Sequence, residues 1–204
     1  MKKILTIIAL TVATLGTVNF AHAATTNIDE VTVLNNIGTF NKIEVHGNVQ
    51  LVVANGAKNS VEMNNNYYAE NAMVQTEEGT LKIASYTTKT LIVYVTVNDV
   101  RAITAYDNAS VKTDGRFSAL SLDVTLNNYA SANLNLDSYV ANITANDNAK
   151  ADLTGNVTDY SLNYAQATTI NRSALLADNT SEKLVVPTYI SVKHTEVSAD
   201  EIAD

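Results

Sequence analysis

The sequence predicts an all-β protein of the β-solenoid class, a parallel β-helix built as a single domain. Three observations carry this. A short turn phrase recurs through the second half of the chain, apolar residues alternate strictly on both sides of it, and no helical periodicity appears after residue 23.

The phrase reads Tyr106-Asp107-Asn108-Ala109-Ser110, then Asn127-Asn128-Tyr129-Ala130-Ser131, then Asn146-Asp147-Asn148-Ala149-Lys150. Looser copies stand at Asn163-Tyr164-Ala165-Gln166 and Asp178-Asn179-Thr180-Ser181. With the small residue after the turn as marker, Ala109, Ala130, Ala149, Ala165 and Thr180 lie 21, 19, 16 and 15 residues apart. That period is too short for a duplicated domain. It suits a stacked unit that buries its apolar face only against its neighbours.

The flanks supply the strands. Ile103 and Ala105, then Leu120, Leu122, Val124 and Leu126, then Tyr139, Ala141, Ile143 and Ala145, then Tyr160 and Leu162 alternate with polar residues. Alternation resumes after each turn with Ala109 and Val111, Ala130 and Ala132, and Ala149, Ala151 and Leu153. Period two with polar residues between marks strands that bury one face. Asn and Asp suit the corners, because they tolerate left-handed backbone and bond their own turn. Small alanines beside each corner suit a narrow interior. Corners are expected at 106–108, 127–129, 146–148 and 163–164, with stacked Asn side chains forming ladders at a spacing of about 4.8 Å.

The start of the chain reads as a secretory signal peptide over residues 1–23. Lys2 and Lys3 precede the apolar run Ile4–Leu15, and Ala21-His22-Ala23 fits the cleavage site, so processing is expected near Ala23-Ala24. The run is too short to span a bilayer, and no Cys follows for a lipid anchor. The processed chain is expected to be exported, periplasmic or extracellular, without membrane insertion. It keeps 11 basic residues against 21 acidic ones, a net charge of −10. Such a balance opposes nucleic acid or an anionic membrane as partner. Without cysteine the fold relies on packing and hydrogen bonds.

Residues 24–38 read as a polar entry segment, and strands begin at Phe40. Asn55-Gly56 and Glu77-Glu78-Gly79-Thr80 are turn signals, and Leu91–Val97 is the most β-prone run. The β-helix domain is expected over 39–192, with an acidic disordered tail at 193–204.

Phe40, Ile43, Val45 and Gly47, then Val49 and Val52, then Gly79-Thr80-Leu81 with Ile83, then Val93, Val95 and Val97 leading to Ile103 and the turn repeats, form a succession. It resembles the head GIN domain family, exported bacterial proteins described as autotransporter adhesin heads and otherwise of unknown function. The resemblance covers roughly residues 39–180. Family members usually carry Ser-Gly or Gly-x-Gly at the corners, where this chain has Asp107-Asn108, Asn127-Asn128 and Asp147-Asn148. The resemblance implies a right-handed β-helix and brings no catalytic residue.

The residues themselves point the same way. Beyond residue 23 the histidines are His46 and His194, neither in a Ser/His/Asp pattern. Asp107, Asp147 and Asp178 at successive corners resemble a calcium ladder. The intervening corners carry amides instead, so turn formation accounts for them better. A β-helical polysaccharide lyase would need clustered carboxylates beside a base, and Arg101, Arg116 and Arg172 are scattered. No metal, cofactor or catalytic residue is assigned. The candidate ligand surface is a strip of corner tyrosines, Tyr106, Tyr129 and Tyr164, whose rings would stack on sugars or pack on protein; the competing reading is seam packing. The leading function is a non-enzymatic binding or adhesion module whose partner is a glycan or a cell-surface protein. A structural or envelope-homeostasis protein is the alternative, and a polysaccharide-degrading enzyme the weakest reading.

Overall fold

The structure, a computed structural model, describes residues 31–34, 37–64 and 72–186. The expected signal peptide, Tyr67-Tyr68, His194 and the acidic tail fall outside them. Among the described residues there are thirteen strands and no helix: β1 (Val31–Val33), β2 (Lys42–Gly47), β3 (Val49–Asn55), β4 (Ser60–Asn64), β5 (Ala72–Glu77), β6 (Thr80–Ser85), β7 (Leu91–Val97), β8 (Ala102–Ala105), β9 (Ser110–Thr113), β10 (Phe117–Leu126), β11 (Ser131–Ala145), β12 (Lys150–Ala165) and β13 (Thr169–Val185). β1 lies inside the segment expected to be a polar entry.

All thirteen join in one sheet. From β8 onward every strand pairing is parallel. β10 pairs with β8 and β11, β12 with β11 and β13, and β9 with β3 and β11. The first half differs. β4 runs antiparallel to both β1 and β7, and β5 runs antiparallel to β6.

The sheet is therefore mixed, an open half-barrel around one core, and the expectation of a right-handed parallel β-helix is corrected. The cause is local. β5 and β6 are joined by Glu78-Gly79, both with positive φ (49° and 75°). A two-residue connection of that geometry turns the chain straight back and permits only antiparallel pairing.

The core is continuous through both halves. Along one line of paired positions stand Leu81, Ile43, Ile103, Val124, Ile143 and Leu162, each at most 3% exposed. A parallel line runs Ile83, Val45, Ala105, Leu126 and Ala145 and ends at half-buried Tyr164. Each large aliphatic side chain so enclosed contributes about 1.5–3 kcal/mol. Ala109, Ala130 and Ala149 are fully buried beside the corners, where the alternation places them.

Turns fall at 107–108, 128–129 and 147–148, and Asp107, Asn128 and Asp147 adopt φ of 59°, 59° and 55°. The left-handed backbone expected of these residues is present. The fourth corner is displaced. It lies at Gln166-Ala167 and is closed by the Thr168 amide donating to Ala165 O at 3.2 Å. Asn163 and Tyr164 belong to β12, and Asp178 to Thr180 to β13.

Candidate binding surfaces

The three corners build a hydrogen-bond ladder on the outside of the sheet. The Gly47 amide donates to Asp107 Oδ2 (3.0 Å), the Asp107 amide to Asn128 Oδ1 (3.2 Å), and the Asn128 amide to Asp147 Oδ2 (2.9 Å). Each side chain thus satisfies a backbone donor in the neighbouring strand's corner, a need that any chain reversal must meet. Asn146 Nδ2 donates to Asn127 Oδ1 at 2.9 Å, adding an amide rung beside it. Asp107 and Asp147 use their carboxylates to hold backbone, the role expected of turn formers.

At the first corner glycine is required. Gly47 has φ of 78°, and a Cβ there would sit 2.1 Å from Ser85 O. His46 beside it stacks on Tyr106, ring centroids 4.4 Å apart and planes 6° from parallel. Its Nε2 lies 2.6 Å from Glu44 Oε1.

The corner tyrosines occupy three different environments. Tyr106 is half-buried by its stack on His46. Tyr129 holds its ring outward, 66% exposed. Tyr164 continues the inward line of Ala105, Leu126 and Ala145. The structure does not bring them into one column, because the real fourth corner comes three residues later than Asn163-Tyr164 suggests.

A different apolar surface emerges on β10 and β11. Leu120 is 81% exposed and Tyr139 56%. The alternation placed both on the inward face. The strands bend here: Ala119 pairs with Ser138 and Ser121 with Val140, while Leu120 and Tyr139 between them drop out of the ladder. Residues on either side of the bend face inward (Phe117 and Leu122; Leu136 and Ala141, all buried), so one residue must turn out. The two side chains border a shallow depression of about 480 Å³ with Ser118, Asp137, Ser138 and Thr158. The only signal in the sequence was parity: Phe117 and Leu122 are five residues apart and both apolar, which strict alternation forbids.

A larger cleft of about 560 Å³ opens between the start of β2 and the loops before β4 and β8. Phe40 and Ile37 supply its apolar wall, with Lys58 and Asp99 at its edge. Asn59 crosses it, donating to Phe40 O at 3.2 Å and accepting from the Asn98 amide at 3.1 Å. The amide closes two loops at once, so this cleft serves the packing of the sheet end. Among the described residues no group of three or more His, Cys, Asp or Glu side chains converges as a metal site.

Comparison with known proteins adds to this geometry. A family model described as "Putative auto-transporter adhesin, head GIN domain" matches residues 39–187. No curated protein matches the chain. Several solved structures share the fold at low identity. A putative lipid binding protein from Parabacteroides distasonis ATCC 8503 has TM-score 0.57 and 13% identity, covering 76% of this chain and 78% of the other. A putative adhesin from the same organism has TM-score 0.54 and 14% identity, covering 77% and 79%. A putative adhesin from Parabacteroides merdae ATCC 43184 has TM-score 0.52 and 15% identity, covering 76% and 77%.

Proposed function

The chain belongs to the head GIN domain family, and from that premise we propose that it is an exported, non-enzymatic binding module of the adhesin type. Its partner is a glycan or a protein of a cell surface. One observation carries the reading: Leu120 and Tyr139 stand side by side in the open on adjacent strands. An exposed aliphatic and an aromatic ring bordering a shallow, polar-rimmed depression gain by being covered. A ring held by rigid strands offers contact area at little entropic cost. Tyr129, the corner tyrosine that is most open, is a second contact on another side. Solved relatives described as adhesins support the class; the one described as a lipid binding protein makes lipid a competitor to test.

The test is a binding screen of the purified chain against glycans, intact cells and phosphatidylcholine vesicles, with Leu120→Ser/Tyr139→Ser as comparison. Both side chains are solvent-exposed, so strand content should not change. Binding to a glycan or to cells should weaken at least about tenfold, as loss of a hot-spot pair does. Retention of full binding by the double variant, or binding to vesicles alone, overturns the assignment.

A further inference from the structure

A column of residues crosses the corner where β6, β2, β8, β10 and β11 end. The register is constant on both sides of it. Val45 lies beside Ala105 and Gln50 beside Ser110, while Ala105 lies beside Leu126 and Ser110 beside Ser131. Asn48, Asn108 and Tyr129 therefore stand side by side. Asn148 follows, its amide donating to Asn128 O at 2.9 Å. Tyr86 flanks Asn48 on the other side, directly after the pair of Ser85 with Gly47. The column thus runs Tyr86, Asn48, Asn108, Tyr129, Asn148. Its two rings are 74% and 66% exposed, and three strand spacings, about 14 Å, separate them.

Both rings are anchored although both are open. Tyr86 lies against Gly47, so near that a Cβ there would meet its ring at 3.1 Å. The loop after Tyr86 is tied to Asn48. That side chain donates to Thr87 O at 3.3 Å and Thr88 O at 3.2 Å, and accepts from Thr90 Oγ1 at 3.0 Å. Tyr129 is fixed through its backbone, its amide donating to Asp107 O at 3.0 Å. A second column runs beside the first, through Ala84, His46, Tyr106, Asn127 and Asn146. There the His46–Tyr106 stack adds a flat surface at the strand levels between the two rings.

The groups between the rings select the ligand. Asn108 and Asn148 are exposed, and their side-chain amides bond to no other described residue. Asp107 and Asp147, between the two columns, each spend one carboxylate oxygen on a backbone amide. The other oxygen is left to accept from a hydroxyl. Neither column contains a lysine or arginine, so an acidic ligand meets carboxylates and no matching cation. A lipid surface or the apolar centre of a protein interface needs contiguous apolar area, which the amides interrupt. Rings separated by groups that both donate and accept suit a neutral chain of sugars, whose C–H faces stack on the rings while hydroxyls bond the amides. We propose that this corner is a second binding site, taking a neutral linear oligosaccharide that lies along the column and stacks on Tyr86 and Tyr129. The site rests on the reading of the chain as a binding module, but on neither Leu120 nor Tyr139.

The experiment uses the full chain, expressed with its N-terminal segment so that the cell processes it. Calorimetry follows its titration with cello-, chito-, manno- and malto-oligosaccharides, from disaccharide to hexasaccharide. At least one series should bind, with affinity rising with length until the ligand spans both rings. Tyr86→Ser and Tyr129→Ser should each weaken that binding at least about tenfold. Strand content should not change, because both side chains are exposed. The swap Asn108→Tyr/Tyr129→Asn brings the rings to two strand spacings, about 10 Å, and should make a shorter oligosaccharide the best ligand. The adhesin reading is judged separately, on intact cells with Leu120→Ser/Tyr139→Ser, so either can fail alone. Absence of binding in every series overturns the corner site. So does binding that neither tyrosine variant weakens, binding that Leu120→Ser/Tyr139→Ser abolishes, or a swap that leaves the length preference where it was.

Discussion

The two halves of the sheet solve the same problem, reversing a strand at its corner, with different residues. In the first half the chain turns on glycine: Gly47 at the end of β2 and Gly79 between β5 and β6, with φ of 78° and 75°. In the second half one turn, between β9 and β10, still uses glycine (Gly115, φ 73°), but the three stacked corners use Asp107, Asn128 and Asp147, whose small conformational cost is offset by hydrogen bonds. The Glu78-Gly79 turn folds the chain straight back into the antiparallel β5–β6 pair, whereas Gly47 joins β2 and β3, whose partners all run parallel to them. Corners built from Asp and Asn bind to the corner of the next strand, and the strands that they join stack in parallel. A side-chain ladder thus specifies which strand lies beside which, a task glycine cannot perform.

The largest effect should come from exchanging those solutions. Gly47→Ala drives a Cβ to 2.1 Å from a backbone oxygen of Ser85 at a left-handed φ, so the neighbouring strand must move. Cavity-free backbone clashes of this kind fall in the severe class, roughly 3 kcal/mol or more. By contrast Asn128→Gly keeps the φ and loses only an acceptor, for about 1 kcal/mol. Denaturant unfolding of the two variants measures both. Equal costs would show that the corners do not differ in kind.

The ladder itself is tested at Asp147. Asp147→Ala loses the acceptor for the Asn128 amide and places a residue without a local hydrogen bond at φ 55°. The combined cost should be about 2 kcal/mol. Asp147→Asn keeps a carbonyl acceptor and the tolerance for left-handed backbone, and should lose less than half of that. If Asn and Ala cost the same, the oxygen at this corner is not holding the neighbouring strand.

Much of this was legible in the sequence, and the misses have physical reasons. Alternation located the buried faces of Ile103, Val124 and Ile143, and the Asn/Asp doublets located three left-handed corners. Asn163-Tyr164-Ala165 imitates Asn128-Tyr129-Ala130 in composition, so it drew the fourth corner forward. The structural equivalent of Ala149 is Thr168, 19 residues later, where Lys150 pairs with Thr169. Strand direction was not legible, because alternation is the same in parallel and antiparallel pairs; the positive φ at Glu78 and Gly79 decides it for β5 and β6. The bend that exposes Leu120 and Tyr139 changes parity without any turn residue to announce it. Those two side chains are the candidate contact surface, so the site was hidden where the periodic reading was strongest.

The smallest effect concerns the end of the parallel half, where the core meets solvent. Tyr160 is 2% exposed, and its hydroxyl is buried without a hydrogen-bond partner among protein atoms. Burial pushes the phenol up to about 12; the Glu182 carboxylate adds to the rise and Arg172 opposes it. The folded chain therefore holds this proton more tightly than the unfolded chain, whose tyrosine ionises near 10. Stability due to this difference is complete below pH 10 and is lost as pH climbs from 10 through about 12. Tyr160→Phe removes a buried polar atom that has nothing to bond, so at neutral pH it should leave stability unchanged or raise it by up to about 1 kcal/mol. The same variant should flatten the decline between pH 10 and 12. Urea unfolding of both proteins across that window reads the difference. A variant that is destabilised at neutral pH and keeps the alkaline decline would mean that the hydroxyl has a partner at the open end, and that the core there is closed by more than Arg172 and Glu182.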